Sequence, residues 1–69
     1  MKASYDRHTD TVSIVFRPGV VIESSEEVRP GVVMDFDDGG RVVSLEILDA
    51  SRVIPQVDRM EFDAIGRAP

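Results

Sequence analysis

VVMDFDDGGRVVSLEI, residues 32–47, is the stretch whose reading decides the fold. Val32, Met34 and Phe36 alternate with Val33 and Asp35, and after Asp37-Asp38-Gly39-Gly40 the alternation resumes at Val43, Leu45 and Ile47. Period-2 patterning on both sides of an Asp-Gly pair reads as two antiparallel strands joined by a hairpin. A two-residue Asp38-Gly39 turn, or a four-residue loop, sets Met34 opposite Val43 and Val32 opposite Leu45.

Upstream, Phe16-Arg17-Pro18-Gly19-Val20-Val21 is echoed by Val28-Arg29-Pro30-Gly31-Val32-Val33. Proline presets φ for the second position of a turn and glycine accepts the positive φ that follows, so each Pro-Gly is expected to reverse the chain. Three-residue Arg-Pro-Gly loops keep apolar residues on one face, with Phe16 opposite Val20, Ile14 opposite Ile22 and Val28 opposite Val32, whereas two-residue loops flip one strand of each pair. The strand from Val20 to Val28 loses its apolar pattern at Glu23-Ser24-Ser25-Glu26-Glu27, which predicts a solvated, bent or bulged half. Thr11 to Phe16 reads as a half-buried strand and Ala3 to Asp6 as a short first one.

Downstream, Asp49-Ala50-Ser51-Arg52-Val53-Ile54 opens with N-cap residues and stops alternating, which predicts one or two helical turns ending before Pro55. Arg59 to Ala64 resumes alternation and reads as a last strand or as an arm reaching a neighbouring subunit. Gly66 to Pro69 reads as frayed. The expected class is mainly β (β-rich α+β): an antiparallel β-meander of four to five strands joined by tight hairpins, with a short C-terminal helix. Residues 1–69 make a single small domain, 1–54 holding the meander and helix and 55–69 a C-terminal extension.

Composition bounds the function. Eight basic against 13 acidic residues leave a net charge of −5, the wrong sign for a protein that holds nucleic acid by neutralising phosphates. No apolar run approaches the roughly 20 residues that span a bilayer. With no Cys, disulfides and thiolate metal sites are excluded. No apolar leader follows Met1, so the expected location is cytoplasmic.

Tyr5-Asp6, Asp10, the Val12-Ile14-Phe16 strand and the run PGVVMDFDDGGRVVSLEILDAS from Pro30 to Ser51 together resemble the small bacterial and archaeal proteins of the domain-of-unknown-function 2283 family. The likeness covers Met1 to Ile54, and its most specific part is the Asp-x-Asp-x-x-Gly hairpin running into Glu46-Ile47-Leu48-Asp49-Ala50-Ser51. It implies a compact antiparallel meander with a short helix and brings no catalytic residue. Members are similar to proteins encoded beside small genes read as toxins, which implies an antitoxin-like role for some of them.

Four constellations invite chemistry. Asp35, Asp37, Gly40 and Glu46 fall at the first, third, sixth and twelfth places of a calcium loop, but the fifth place is Gly39 and the flanks are strands where an EF-hand needs helices. A solvated hairpin turn is the expected reading of Asp35 to Glu46. Asp6, His8 and Asp10 bring an imidazole and two carboxylates into one loop, a set suited to a metal or a proton shuttle, and a metal-dependent hydrolase centred there is the alternative function. Loop capping by the two aspartates is the expected outcome. Ser13, Ser24, Ser25, Ser44 and Ser51 lie in no nucleophile elbow, and His8 is the sole imidazole. Arg17 and Arg29 occupy equivalent turn positions and are expected to share a sheet edge, paired with Glu23, Glu26 and Glu27. No catalytic residue, metal or cofactor is assigned.

A second, thinner apolar row remains. With Val12, Ile14, Phe16, Val20, Ile22, Val32, Met34, Phe36, Val43, Leu45 and Ile47 on the core face, Val15, Val21, Val33, Val42 and Leu48 point the other way and form the candidate interface. The expectation is a non-enzymatic, acidic protein-interaction module that associates as a homodimer or with a basic protein partner, and binds neither nucleic acid nor membrane. Glu23, Glu26, Glu27, Asp35, Asp37 and Asp38 are the expected acidic contributors.

Overall fold

The computed structural model describes Met1–Pro69 and contains five strands: β1 (Lys2–Asp6), β2 (Thr11–Val15), β3 (Ser24–Arg29), β4 (Val32–Phe36) and β5 (Val42–Ile47). All pair antiparallel in one open sheet of order β1-β2-β5-β4-β3. The mainly β, antiparallel class is as expected from the alternation. The order departs from a sequential meander: β2 to β5 form a Greek-key arrangement, with β1 added at its edge.

The departure explains Val20 to Ile22. These residues do not pair with β2; residues 16–23 instead cross the end of the sheet and deliver the chain to the far edge. Phe16 and Arg17 donate their amides to the Val43 carbonyl at 2.9 and 3.3 Å as the crossover leaves β2, and Glu23 N–H reaches the Phe36 carbonyl at 2.8 Å as it rejoins the sheet. β5 is the better neighbour for β2 because it sets Ile14 opposite Leu45 and Val12 opposite Ile47. The Ser24-Ser25-Glu26-Glu27 run of β3 suits an edge, where charged side chains remain in water.

Two register shifts correct the predicted hairpins. Between β3 and β4 the partners step from Glu27–Val33 to Arg29–Val32, so the loop is the two residues Pro30-Gly31 and Val28 is the extra residue. The two-residue loop is accommodated because this bulge restores the facing that it would otherwise invert. Gly31, at φ 78°, makes the turn, and its carbonyl accepts the Leu48 amide at 2.8 Å. Between β4 and β5 the partners step from Asp35–Ser44 to Phe36–Val42, leaving Val43 as an extra residue and setting Met34 opposite Leu45 and Val32 opposite Ile47, each one pair further along than predicted.

After β5 the expected helix is a lone 3₁₀ turn, Ala50–Arg52. Asp49 enters it in the left-handed region at φ 50°, and Gln56, just past Pro55, returns to that region at φ 52°, so no second helical turn can propagate. Arg59 to Ala64 forms no strand. No helix is long and apolar enough to cross a membrane.

Candidate interaction surface

Register assigns every strand residue to a face. On the core side, Ala3, Ile14, Leu45, Met34 and Glu26 form one row across the five strands, and Tyr5, Val12, Ile47, Val32 and Arg29 form the next. Val57–Met60 and Ala3, Tyr5 and Val12 line a depression on this side, so the chain beyond the 3₁₀ turn covers only its β1–β2 end. Only three hydrophobic residues are buried, Val12, Val43 and Ala50. Ile14, Met34, Leu45, Ile47, Val32 and Phe36, the intended core, remain half-buried.

The opposite face is polar. Lys2, Val15, Ser44, Asp35 and Ser25 make one row, and Ser4, Ser13, Glu46, Val33 and Glu27 the next. Asp35 is buried, accepting the Ser25 hydroxyl at 2.5 Å and the Ser44 hydroxyl at 2.6 Å, a bridge across β3, β4 and β5. No buried side-chain polar atom lacks a partner.

The five candidate interface residues are accordingly dispersed. Val15 and Val33 do stand on the second face, embedded among serines and acids. Val42 pairs with Phe36 and so belongs to the core side, because the bulge at Val43 shifts the alternation that had placed it opposite. Val21 is exposed in the crossover and Leu48 in the turn after β5. Ile14, Met34, Leu45, Ile47, Val32 and Phe36 stand side by side on the core face, each of them partly exposed.

The Asp6-His8-Asp10 set does not converge. Asp6 accepts the His8 and Thr9 amides at 2.8 and 3.4 Å and caps its own loop, as expected of an aspartate there. Asp10, at φ 52°, turns to the C-terminal segment instead: it accepts the Ser51 hydroxyl at 2.6 Å, the Ser51 amide at 3.0 Å and the Tyr5 hydroxyl at 2.7 Å, while its carbonyl accepts the Ala50 amide. The Ser51 hydroxyl, then the Tyr5 hydroxyl, hold the Asp10 carboxyl below its ordinary range. The reciprocal bond to Asp10 pushes the Tyr5 phenol up.

The acids of the 35–46 hairpin diverge too. Asp35 faces the two serines, and Glu46 lies beside Val33 on the second face. Asp37 is sequestered in the loop: one oxygen accepts the Gly39 and Arg41 amides, each at 2.9 Å, and the other meets Arg17 at 2.8 Å and Arg41 at 3.1 Å. These contacts, the Arg41 amide foremost and then the Arg17 guanidinium, outweigh desolvation and hold the carboxyl at about 2. No three His or acidic side chains gather as a metal ligand set. Arg17 therefore clamps the crossover to the β4–β5 loop, at the opposite end of the sheet from Arg29, and does not share an edge with it. The Asx turn of Asp37 onto Gly39 had a sequence signal in Asp-x-Gly; the ion pair to a residue 20 positions earlier had none.

A five-stranded antiparallel sheet with one partly exposed apolar face and one polar face defines a small, open β scaffold. The chain belongs to the DUF2283 family, described as proteins of unknown function, whose family model matches residues 2–51. That span ends at Ser51, the residue whose hydroxyl and amide close the Asp10 clamp. No match was found among curated proteins or among solved structures.

Proposed function

We propose that the chain is a protein-interaction module and not an enzyme, and that it works by burying its apolar sheet face against another protein chain. The observation that carries this reading is the half-buried state of Ile14, Met34, Leu45, Ile47, Val32 and Phe36, a contiguous apolar surface of a kind that solitary small domains avoid. The polar face offers Glu27, Glu46 and Asp6 outward, and with a net charge of −5 it suits a basic protein, whose approach long-range attraction would accelerate. Neutralisation of a small basic toxin would follow from covering its cationic site, which is the role the family likeness suggests.

The test is light scattering on the full chain, alone and mixed with the product of the neighbouring gene, alongside fluorescence of an apolar dye. A stable complex, or dye bound to the folded chain, supports an uncovered face. A folded monomer that binds neither overturns the proposal.

A further inference from the structure

We infer that the occupant of the apolar face is a second copy of this chain, packed sheet against sheet, with the C-terminal arm of each protomer laid over its partner. The inference rests on the interaction-module reading and names its partner.

The surface area sets the scale. A folded monomer of 7.6 kDa is expected to expose about 4,300 Å², whereas this one exposes 5617 Å². Its radius of gyration, 13.4 Å, likewise exceeds the roughly 11 Å of a compact chain of this length. Hiding the excess of about 1,300 Å² on each of two protomers makes an interface of about 2,600 Å², within the range of permanent homodimers.

The face alone falls short of that area. Five strands of about five residues give a flat footprint of roughly 24 by 17 Å, about 400 Å², against the roughly 800 Å² that each partner of a stable interface buries. The arm makes up the difference. Met60, Phe62 and Ile65 are 60%, 73% and 93% exposed, and beyond Arg59 the arm makes no backbone hydrogen bond to the sheet. Met60 lines the depression at the β1–β2 end of its own sheet, whereas Phe62 and Ile65 lie largely in solvent and are available to cover the rim of the partner's sheet that face-to-face packing leaves open.

Charge selects a copy over a basic partner for this face. The polar ends of its rows on β3 are Glu26 and Arg29, one acid and one base, so a two-fold arrangement can set each near its opposite. The acids Glu27 and Glu46 lie on the other face and remain free for a different protein.

Light scattering of the full chain at micromolar concentration is expected to give twice 7.6 kDa. Phe62→Asp alters only the exposed arm and leaves the protomer's fold intact by circular dichroism, and is expected to weaken the dimer at least about tenfold. Leu45→Arg, on the face itself, is expected to give monomer. A folded monomer that binds apolar dye overturns self-association while leaving the interaction module standing; a folded monomer that binds none overturns both. A dimer indifferent to Phe62→Asp overturns the arm exchange.

Discussion

Replacing Val43 by alanine removes two methyl groups from the one large side chain that is essentially inaccessible, 2% exposed, at the bulge where β5 meets the crossover. Two buried carbons at about 0.8 kcal/mol each, with a partial cavity term, give a loss of about 2 kcal/mol. Against a total stability on the order of 3–10 kcal/mol for a chain this short, that is a large fraction. The two amides held by the Val43 carbonyl are backbone donors and survive the substitution, so the loss reports packing alone. The assay is urea unfolding followed by far-ultraviolet dichroism, with wild type and variant at the same protein concentration so that any association is held constant. With a slope near 1 kcal/mol per molar, the midpoint should fall by about 2 M. Val21→Ala, at a position 72% exposed, should move it by less than about 0.5 kcal/mol in the same series. A Val43→Ala midpoint within error of wild type would refute the placement of the core at the bulge.

Three other outcomes follow from the two aspartate clamps. The carboxyl of Asp37, held at about 2 in the folded chain against an ordinary 3.8, contributes stability that is fully present above pH 4 and is lost as pH falls through 2; Asp10, also depressed, adds in the same direction. Acid titration of the melting temperature should show that limb, and Asp37→Asn should flatten it. Tyr5 is the sole tyrosine in a chain without tryptophan, so its ultraviolet titration is unobstructed; the phenol should ionise above its ordinary 10, and Asp10→Asn should bring it back down. Ser51→Ala removes a hydroxyl bond to Asp10 and should accelerate amide exchange at Ala50 and Ile54 roughly tenfold while leaving β4 and β5 protected, and a uniform acceleration would point to global destabilisation instead.

Alternation of side chains makes the strands legible in the sequence, because a period of two is a local property that each strand carries in its own residues. The β4–β5 hairpin was readable for that reason, as was the solvated character of β3 and the capping role of Asp6, whose amide partners lie two and three residues away. What escaped was the neighbour of β2. The repeated Arg-Pro-Gly suggested two equivalent hairpins, yet only the second copy lies between paired strands, while the first opens a crossover. The difference depends on β5, about 30 residues further on, which gives both Ile14 and Val12 an apolar partner, whereas the hairpin would match Ile14 with Ile22 but set Val12 against Ser24.

The site shows the same division. The number and kind of acidic residues, the lack of thiols and the presence of apolar surplus beyond one small core are properties of composition, and the sequence alone determined them. Which aspartate would clamp a distant turn and which would bury itself between two serines was decided by three-dimensional register. Asp10 meets Ser51 across 41 positions and Asp37 meets Arg17 across 20. A single bulged residue moved Val42 to the core side. Tertiary structure decided these matters because bulges and strand order arise from the competition of many pairings for the same edge, and that competition is settled only when the whole sheet assembles.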